Sequence, residues 1–294
     1  MPLRAQVVLG ASAFLLLVLP VAAAAGTASD SPPDTAPDRY LRCVVHIGSP
    51  AIRTIEKDGR PFEVFLRDPD THRMSPDLRP VGGTGFLVRE GESVFLVTAR
   101  HVGRQAKRAT RLIMYREEQT PLRCQLGHVV PPEGDLPWRH HDSADVSVLP
   151  LSPPDEELRS RLHGRALDLA ELAATPEAPP RGAMVEAIGF PMGIGLGPRS
   201  CPLSRYSRVA GPLMPISTPE GKIKALVTDR ATAGGMSGGP VFSPPPHERG
   251  GNPAGKPRCM GLVSGTMSDQ TGGKTGSIMP ATHIVDLIRK HLSK

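Results

Sequence analysis

Aromatic side chains are scarce: one Trp, three Tyr and seven Phe make up 4% of the 294 residues. With so few rings, the scattered Lys and Arg behind a net charge of +6 and a pI near 9.4 do not form the alternating ring-and-cation platform of a nucleic-acid protein. No nucleic-acid partner is expected. Cysteine is equally sparse, and Cys43, Cys124, Cys201 and Cys259 lie too far apart in sequence for close-spaced zinc pairs, so no metal is expected. Beyond the N-terminal stretch no apolar run approaches the roughly 20 residues that span a bilayer, which leaves no stable membrane anchor.

What is abundant is punctuation. The 31 Gly and 33 Pro favour many short strands joined by turns over a helical bundle, and the expected class is all-β. At the start, Arg4 precedes an apolar stretch from Val7 to Val21 and then Ala22-Ala23-Ala24-Ala25, the order of a secretory signal cleaved near Ala25. Residues 1–25 are therefore expected to direct export, to a secreted or periplasmic location, and residues 26–39 to form a Ser/Pro/Ala/Thr-rich leader. In such an oxidising compartment the four cysteines read as two disulfides, with Cys43–Cys124 and Cys201–Cys259 keeping each bond within one half of the chain.

From Tyr40, apolar runs at 43–47, 62–66, 84–88, 93–97, 111–115, 124–130 and 146–149 read as strands of a first barrel over residues 40–152. Arg89-Glu90-Gly91-Glu92 fits a hairpin turn. Residues 153–180 change to charged and Leu/Ala positions at helical spacing between prolines, a connection carrying a surface helix. Strands resume at 184–188, 204–209, 222–228, 239–242, 259–264 and 276–279, giving a second barrel over 181–294. Ile284, Leu287, Ile288 and Leu292 then share one face of a closing helix. The Pro- and Gly-rich run from Ser243 to Arg258 reads as an exposed loop.

The sharpest chemical feature is Gly234-Gly235-Met236-Ser237-Gly238-Gly239-Pro240, a serine among glycines just before a strand. Absent side chains let the backbone turn tightly and aim the Gly235 and Ser237 amides at one point, where an oxyanion would be stabilised. A serine hydroxyl needs a base and an orienting acid. His101 ends the run Phe95-Leu96-Val97-Thr98-Ala99-Arg100-His101, and Asp145 stands at the front of Asp145-Val146-Ser147-Val148-Leu149, where a strand would hold it still. Asp142, the nearest rival, lies in the polar stretch His140-His141-Asp142-Ser143, which reads as a solvated loop.

These three segments, in the order His, Asp, Ser, resemble the chymotrypsin-like or trypsin-like serine proteases, in their bacterial exported, HtrA-like branch. The resemblance covers roughly Tyr40 onward and implies two six-stranded antiparallel barrels and no cofactor. It implies that Ser237 attacks a peptide carbonyl, His101 shuttles the proton, and Asp145 fixes the imidazole tautomer. It further implies that Val263, Ser264 and Gly265 form a strand that pairs with an extended polypeptide substrate, that Ser264 bonds the acid, and that Ala231, Thr232 and Thr266 line the primary pocket. Those pocket residues carry no charge, which favours a small or apolar residue before the cut. Met236 and Val102 depart from the digestive members in the manner of bacterial relatives, and little sequence follows the closing helix for PDZ domains. A binding protein with an occluded protease-like site is the alternative from another class. A third reading, an exported esterase of the α/β-hydrolase kind, is disfavoured by the order of the three residues along the chain.

Overall fold

The computed structural model describes residues 36–293, apart from 53, 69, 77, 116–120, 174–177, 197–199, 219–220 and 244–257. The expected signal, the leader up to residue 35 and most of the 243–258 loop thus lie outside the described residues. The chain begins with α1 (Ala36–Cys43), β1 (Val44–Ile52), β2 (Thr54–Lys57), β3 (Arg60–Glu63), β4 (Phe65–Arg67) and β5 (Met74–Pro76). It continues through β6 (Leu78–Glu90), β7 (Ser93–Thr98), α2 (Arg100–Gln105), β8 (Arg111–Met114), β9 (Leu122–Gln125), β10 (Arg139–His140) and β11 (Ser147–Leu151). Next come α3 (Glu156–His163), β12 (Leu167–Asp168), β13 (Met184–Gly189), β14 (Leu203–Arg208), β15 (Met214–Thr218) and β16 (Gly221–Thr228). The last elements are β17 (Pro240–Phe242), β18 (Cys259–Ser268), β19 (Lys274–Pro280) and α4 (Thr282–Leu292).

Residues 50–79 belong to a small unit holding two hairpins, β2 with β3 and β4 with β5. A single strand at 62–66 is expected from the sequence; instead the chain breaks at the buried Val64 between β3 and β4.

The larger unit, residues 36–49 and 80 onward, contains both barrel sheets. One runs β10-β11-β7-β6-β1-β8-β9, with β12 added in parallel to β6; the other runs β14-β13-β17-β18-β19-β16-β15. A bridge between Val209 and Thr228 joins the far ends of the second sheet's β14 and β16. The all-β class holds, while seven strands on each path exceed the expected six because the two-residue β10 and the short, proline-containing β15 carry too little strand pattern to announce themselves. The turn between β6 and β7 is also tighter than expected, since Glu90 pairs directly with Ser93. β7 is buried at every position after Ser93, so it reads as a continuous apolar run rather than an alternating one. Phe86, Phe95, Phe190 and Phe242 are fully buried and supply much of the apolar area of a ring-poor core.

The connection after the first barrel contains the expected helix, shortened to α3, with Asp155 accepting the Glu157 amide as its N-cap. In α4, Ile284, Val285 and Ile288 face the core, whereas Leu292 is 44% exposed and leaves the expected stripe.

Neither expected disulfide, Cys43–Cys124 or Cys201–Cys259, is present among the described residues. Register explains why. Ile47 pairs with Leu112, and Leu112 with Cys124, so Cys124 sits two strands, about 10 Å, from β1 and is offset along it from Cys43. Cys259 pairs with Phe242, Phe242 with Glu186 and Glu186 with Tyr206, three strands over and five residues beyond Cys201. Burial pushes the Cys124 thiol up to about 11 and the Cys259 thiol up to about 12, so both stay protonated and unreactive.

His46 on β1 is 3% exposed, its ring edge-on to Phe190 at 5.5 Å, and its Nδ1 finds no hydrogen-bond partner among the described residues. Desolvation lowers its pKa from 6.5 to about 4. The unfolded chain therefore binds this proton more readily, and stability falls as pH drops from 6.5 toward 4, by about 3 kcal/mol at full extent. Denaturant unfolding at pH 7 and pH 4 should show this loss shrinking in His46→Leu; equal losses in both proteins would refute the assignment.

Candidate active site

Strand register alone brings His101 and Asp145 together. Ser147 pairs with Thr98 across β11 and β7, so extending the two antiparallel chains past that pair sets residues 144–145 beside residues 100–101. α2 begins at Arg100 and displays His101 in its first turn, where a strand-to-turn junction is expected from the sequence. The Asp145 carboxylate meets the imidazole Nδ1 at 2.9 Å through Oδ2 and 3.1 Å through Oδ1, and Oδ1 accepts the His101 amide at 3.0 Å. Burial raises the Asp145 pKa, but bonding to and charge from His101, with the Ser264 hydroxyl and the His101 amide, outweigh it and hold the carboxyl below its ordinary value. The rival Asp142 gives its backbone carbonyl to Arg100.

The serine turn is placed by the other sheet. Pro240 pairs with Leu262 across β17 and β18, so Ser237, three residues before, comes level with Gly265 and Ser264. The Ser237 hydroxyl donates to the Ser264 carbonyl at 3.3 Å, and the Ser264 hydroxyl donates to Asp145 Oδ2 at 2.7 Å. One residue in the middle of β18, at the register shift between Val263 and Gly265, thereby links serine and acid.

Gly235 and Gly238 adopt φ of +88° and +87°. A Cβ on Gly235 would lie 2.4 Å from the Phe190 carbonyl, and one on Gly238 would lie 2.1 Å from that of Thr84. Both positions exclude side chains on two counts. The Gly234 carbonyl accepts the Met192 amide at 2.6 Å, and in a trans peptide the Gly235 N–H then points the opposite way.

Thr84, which sequence reasoning treated only as part of a strand, pegs this turn. It is fully buried; its hydroxyl donates to the Gly235 carbonyl at 2.7 Å and accepts the Phe190 amide at 3.1 Å. Its amide donates to the Ser237 carbonyl at 2.8 Å, and its carbonyl accepts the Thr98 hydroxyl at 2.7 Å. A hydroxyl amid Gly82-Gly83-Thr84-Gly85 was the available signal. Thr84→Val keeps the shape and strands two buried partners, so urea unfolding should register a loss of about 3 kcal/mol. An unchanged midpoint would remove Thr84 from this role.

The stretch His140-His141-Asp142-Ser143 is ordered rather than a solvated loop. His141 Nδ1 accepts the amides of Ser143 and Ala144, which fixes the turn into Asp145 and leaves its Nε2–H to donate to His283 Nδ1 at 3.2 Å. Burial, chiefly, keeps both imidazoles below their ordinary pKa.

Of the expected substrate-binding residues, Ala231 and Thr232 precede the serine turn, and the Thr232 and Thr266 hydroxyls meet at 2.9 Å. Gly265 gives its carbonyl to Ser277. Val263 is wholly buried, and its amide and carbonyl are taken by Gly239 and Gly238. The loop that leaves at Ser243 returns at Arg258, where two hydrogen bonds of 2.9 Å join its ends.

Two antiparallel barrel sheets define the trypsin-like, double-barrel class. Residues 83–245, more than half of the chain, match the trypsin-like peptidase domain, and the chain belongs to that family. Among solved structures, the apo protease domain of MamO from Magnetospirillum magneticum is 16% identical with a TM-score of 0.50, over 85% of this chain and 97% of that one. The HtrA-type protease AlgW with a decapeptide is also 16% identical with a TM-score of 0.50, over 87% of this chain and 67% of that one. These likenesses are of fold. No curated protein sequence matches the chain significantly.

Proposed function

We propose that the chain is an exported serine endopeptidase that cleaves polypeptides through Ser237, His101 and Asp145. The observation that supports this reading best is the bridge at Ser264, whose hydroxyl bonds the acid while its carbonyl accepts the serine hydroxyl. Asp145 accepts the imidazole Nδ1–H and leaves Nε2 as a base. A rotation about χ1 takes the Ser237 hydroxyl from its resting acceptor to that base. As oxygen attacks the carbonyl carbon, its proton passes to Nε2, and the Gly235 and Ser237 amides receive the negative charge. The imidazolium then protonates the leaving amine, giving an acyl-enzyme that water hydrolyses by the same route.

Ala231, Thr232 and Thr266 are neutral, and Asp229, the nearest carboxylate in sequence, accepts the Arg208 amide at 2.7 Å. A small or uncharged residue before the scissile bond follows, since a cation would be desolvated without compensation. Ser264, Gly265 and Thr266 are the groups we assign to substrate, with Val263 beneath them as support for the serine turn.

A fluorophosphonate probe should label Ser237 near neutral pH, with labelling lost on acidification as His101 takes up a proton. The lowered Asp145 pKa keeps that carboxylate ionised through this range, so the acid limb belongs to the imidazole. An unlabelled protein that also cleaves no peptide library would overturn the proposal.

A further inference from the structure

Two cavities of about 450 and 330 Å³, neither lined by Ser237, His101 or Asp145, share Trp138 and His140 among their lining residues. Trp138 is the sole tryptophan of the chain, and its ring stacks on His140 at 6.4 Å and 13°. Its indole nitrogen is buried and makes no hydrogen bond among the described residues. The larger cavity is walled by α2 and the segment after it, which bring Arg104, Lys107 and Arg108; the smaller adds Arg139, and Lys290 from α4. Asp135 is the one carboxylate among the residues lining either cavity.

At Arg108 the charge is anchored but not neutralised. The Arg108 guanidinium is held by the carbonyls of Gly127, Pro131 and Gly134, which fix its position and leave its full positive charge. His140 responds to the surroundings: burial first, then the charges of Arg104 and Arg100, hold its pKa below the ordinary value. Five Lys and Arg converging on concave space generate a focused positive potential, unlike isolated cations on a convex face. The larger volume falls in the range of about 300–1,000 Å³ usual for small-ligand sites.

We propose that the two cavities that share Trp138 form one binding site for a compact, multiply charged phosphate-type anion, gripped by Arg104, Lys107 and Arg108 in the larger and by Arg139 and Lys290 in the smaller. A free oligophosphate and a phospholipid headgroup share this chemistry. The concave shape favours the soluble ion, because a flat bilayer cannot deliver its phosphates into both cavities.

Trp138 makes the test direct, since every tryptophan photon comes from this site. Inorganic tripolyphosphate, titrated into the full chain at constant ionic strength, should change the fluorescence saturably, with calorimetry giving the same Kd. The double substitution Lys107→Glu and Lys290→Glu should weaken binding by roughly tenfold or more. The charge-matched pair Lys222→Glu and Lys274→Glu, on exposed positions of the other barrel, should leave it unchanged. Should the first pair fail to fold by circular dichroism, Lys107→Ala with Lys290→Ala replaces it, with weakening still required. Absence of saturable binding by both methods, equal weakening in the two pairs, or a response to phosphatidylglycerol vesicles without one to tripolyphosphate would each overturn the site.

Discussion

Ser237→Ala is expected to lower kcat for peptide hydrolysis by about a millionfold, leaving only what positioning and the oxyanion amides give. On the proposed mechanism, the size follows from the loss of the one atom that would form the acyl bond, so that water must attack directly. Structural cost should be small. The Ser237 hydroxyl makes one 3.3 Å bond to the Ser264 carbonyl, and the backbone bonds that shape the turn, from the Thr84 amide to the Ser237 carbonyl and from the Gly238 amide to the Val263 carbonyl, do not involve it. Thermal unfolding should therefore move little while labelling by the fluorophosphonate disappears. Proteolysis persisting within tenfold of the native rate would show that another group is the nucleophile.

The separation of chemistry from scaffold also explains what could be read from the amino-acid sequence. His101, Asp145 and Ser237 each sit beside a strong apolar run, so their positions at strand ends follow from the pattern of β7, β11 and β17. The buried strands were legible because continuous Val, Leu and Phe leave few alternatives. β10 and β12, at two residues each, carry no periodicity, and their pairing depends on neighbours distant in sequence.

What escaped sequence reading has a common cause: it depends on which side chains face one another across the fold. Thr84 looked like any strand threonine until the Gly235 carbonyl and Phe190 amide came within reach from more than 100 residues away. His141 looked solvated because its partners are two backbone amides and His283. The disulfide expectation failed similarly, since composition and compartment say nothing of the strand spacing that separates Cys43 from Cys124. Pro- and Gly-rich segments announced loops without fixing their paths.

Asp145→Asn should reduce kcat by about ten-thousandfold with the fold intact, a larger effect than its distance from the reacting bond suggests. An asparagine NH₂ facing Nδ1 donates where the carboxylate accepted, so the imidazole must carry its proton on Nε2. The base then has no lone pair to offer Ser237. If asparagine instead places its oxygen at the Oδ2 position, that oxygen accepts both the Nδ1–H and the Ser264 hydroxyl, but its NH₂ then opposes the His101 amide, donor against donor. The balance between these two arrangements is therefore set by the His101 amide, which favours the wrong tautomer. Adding Ser264→Ala removes a hydrogen bond that holds the side-chain amide in either arrangement and should deepen the defect of Asp145→Asn. In the native background the same change removes one donor from a carboxylate that keeps its bonds to the His101 ring and amide, so the loss should be near tenfold. Steady-state kinetics on the four proteins of this cycle provide the measurement. An Asp145→Asn enzyme retaining more than about a tenth of native kcat would mean that this carboxylate does not govern the imidazole tautomer.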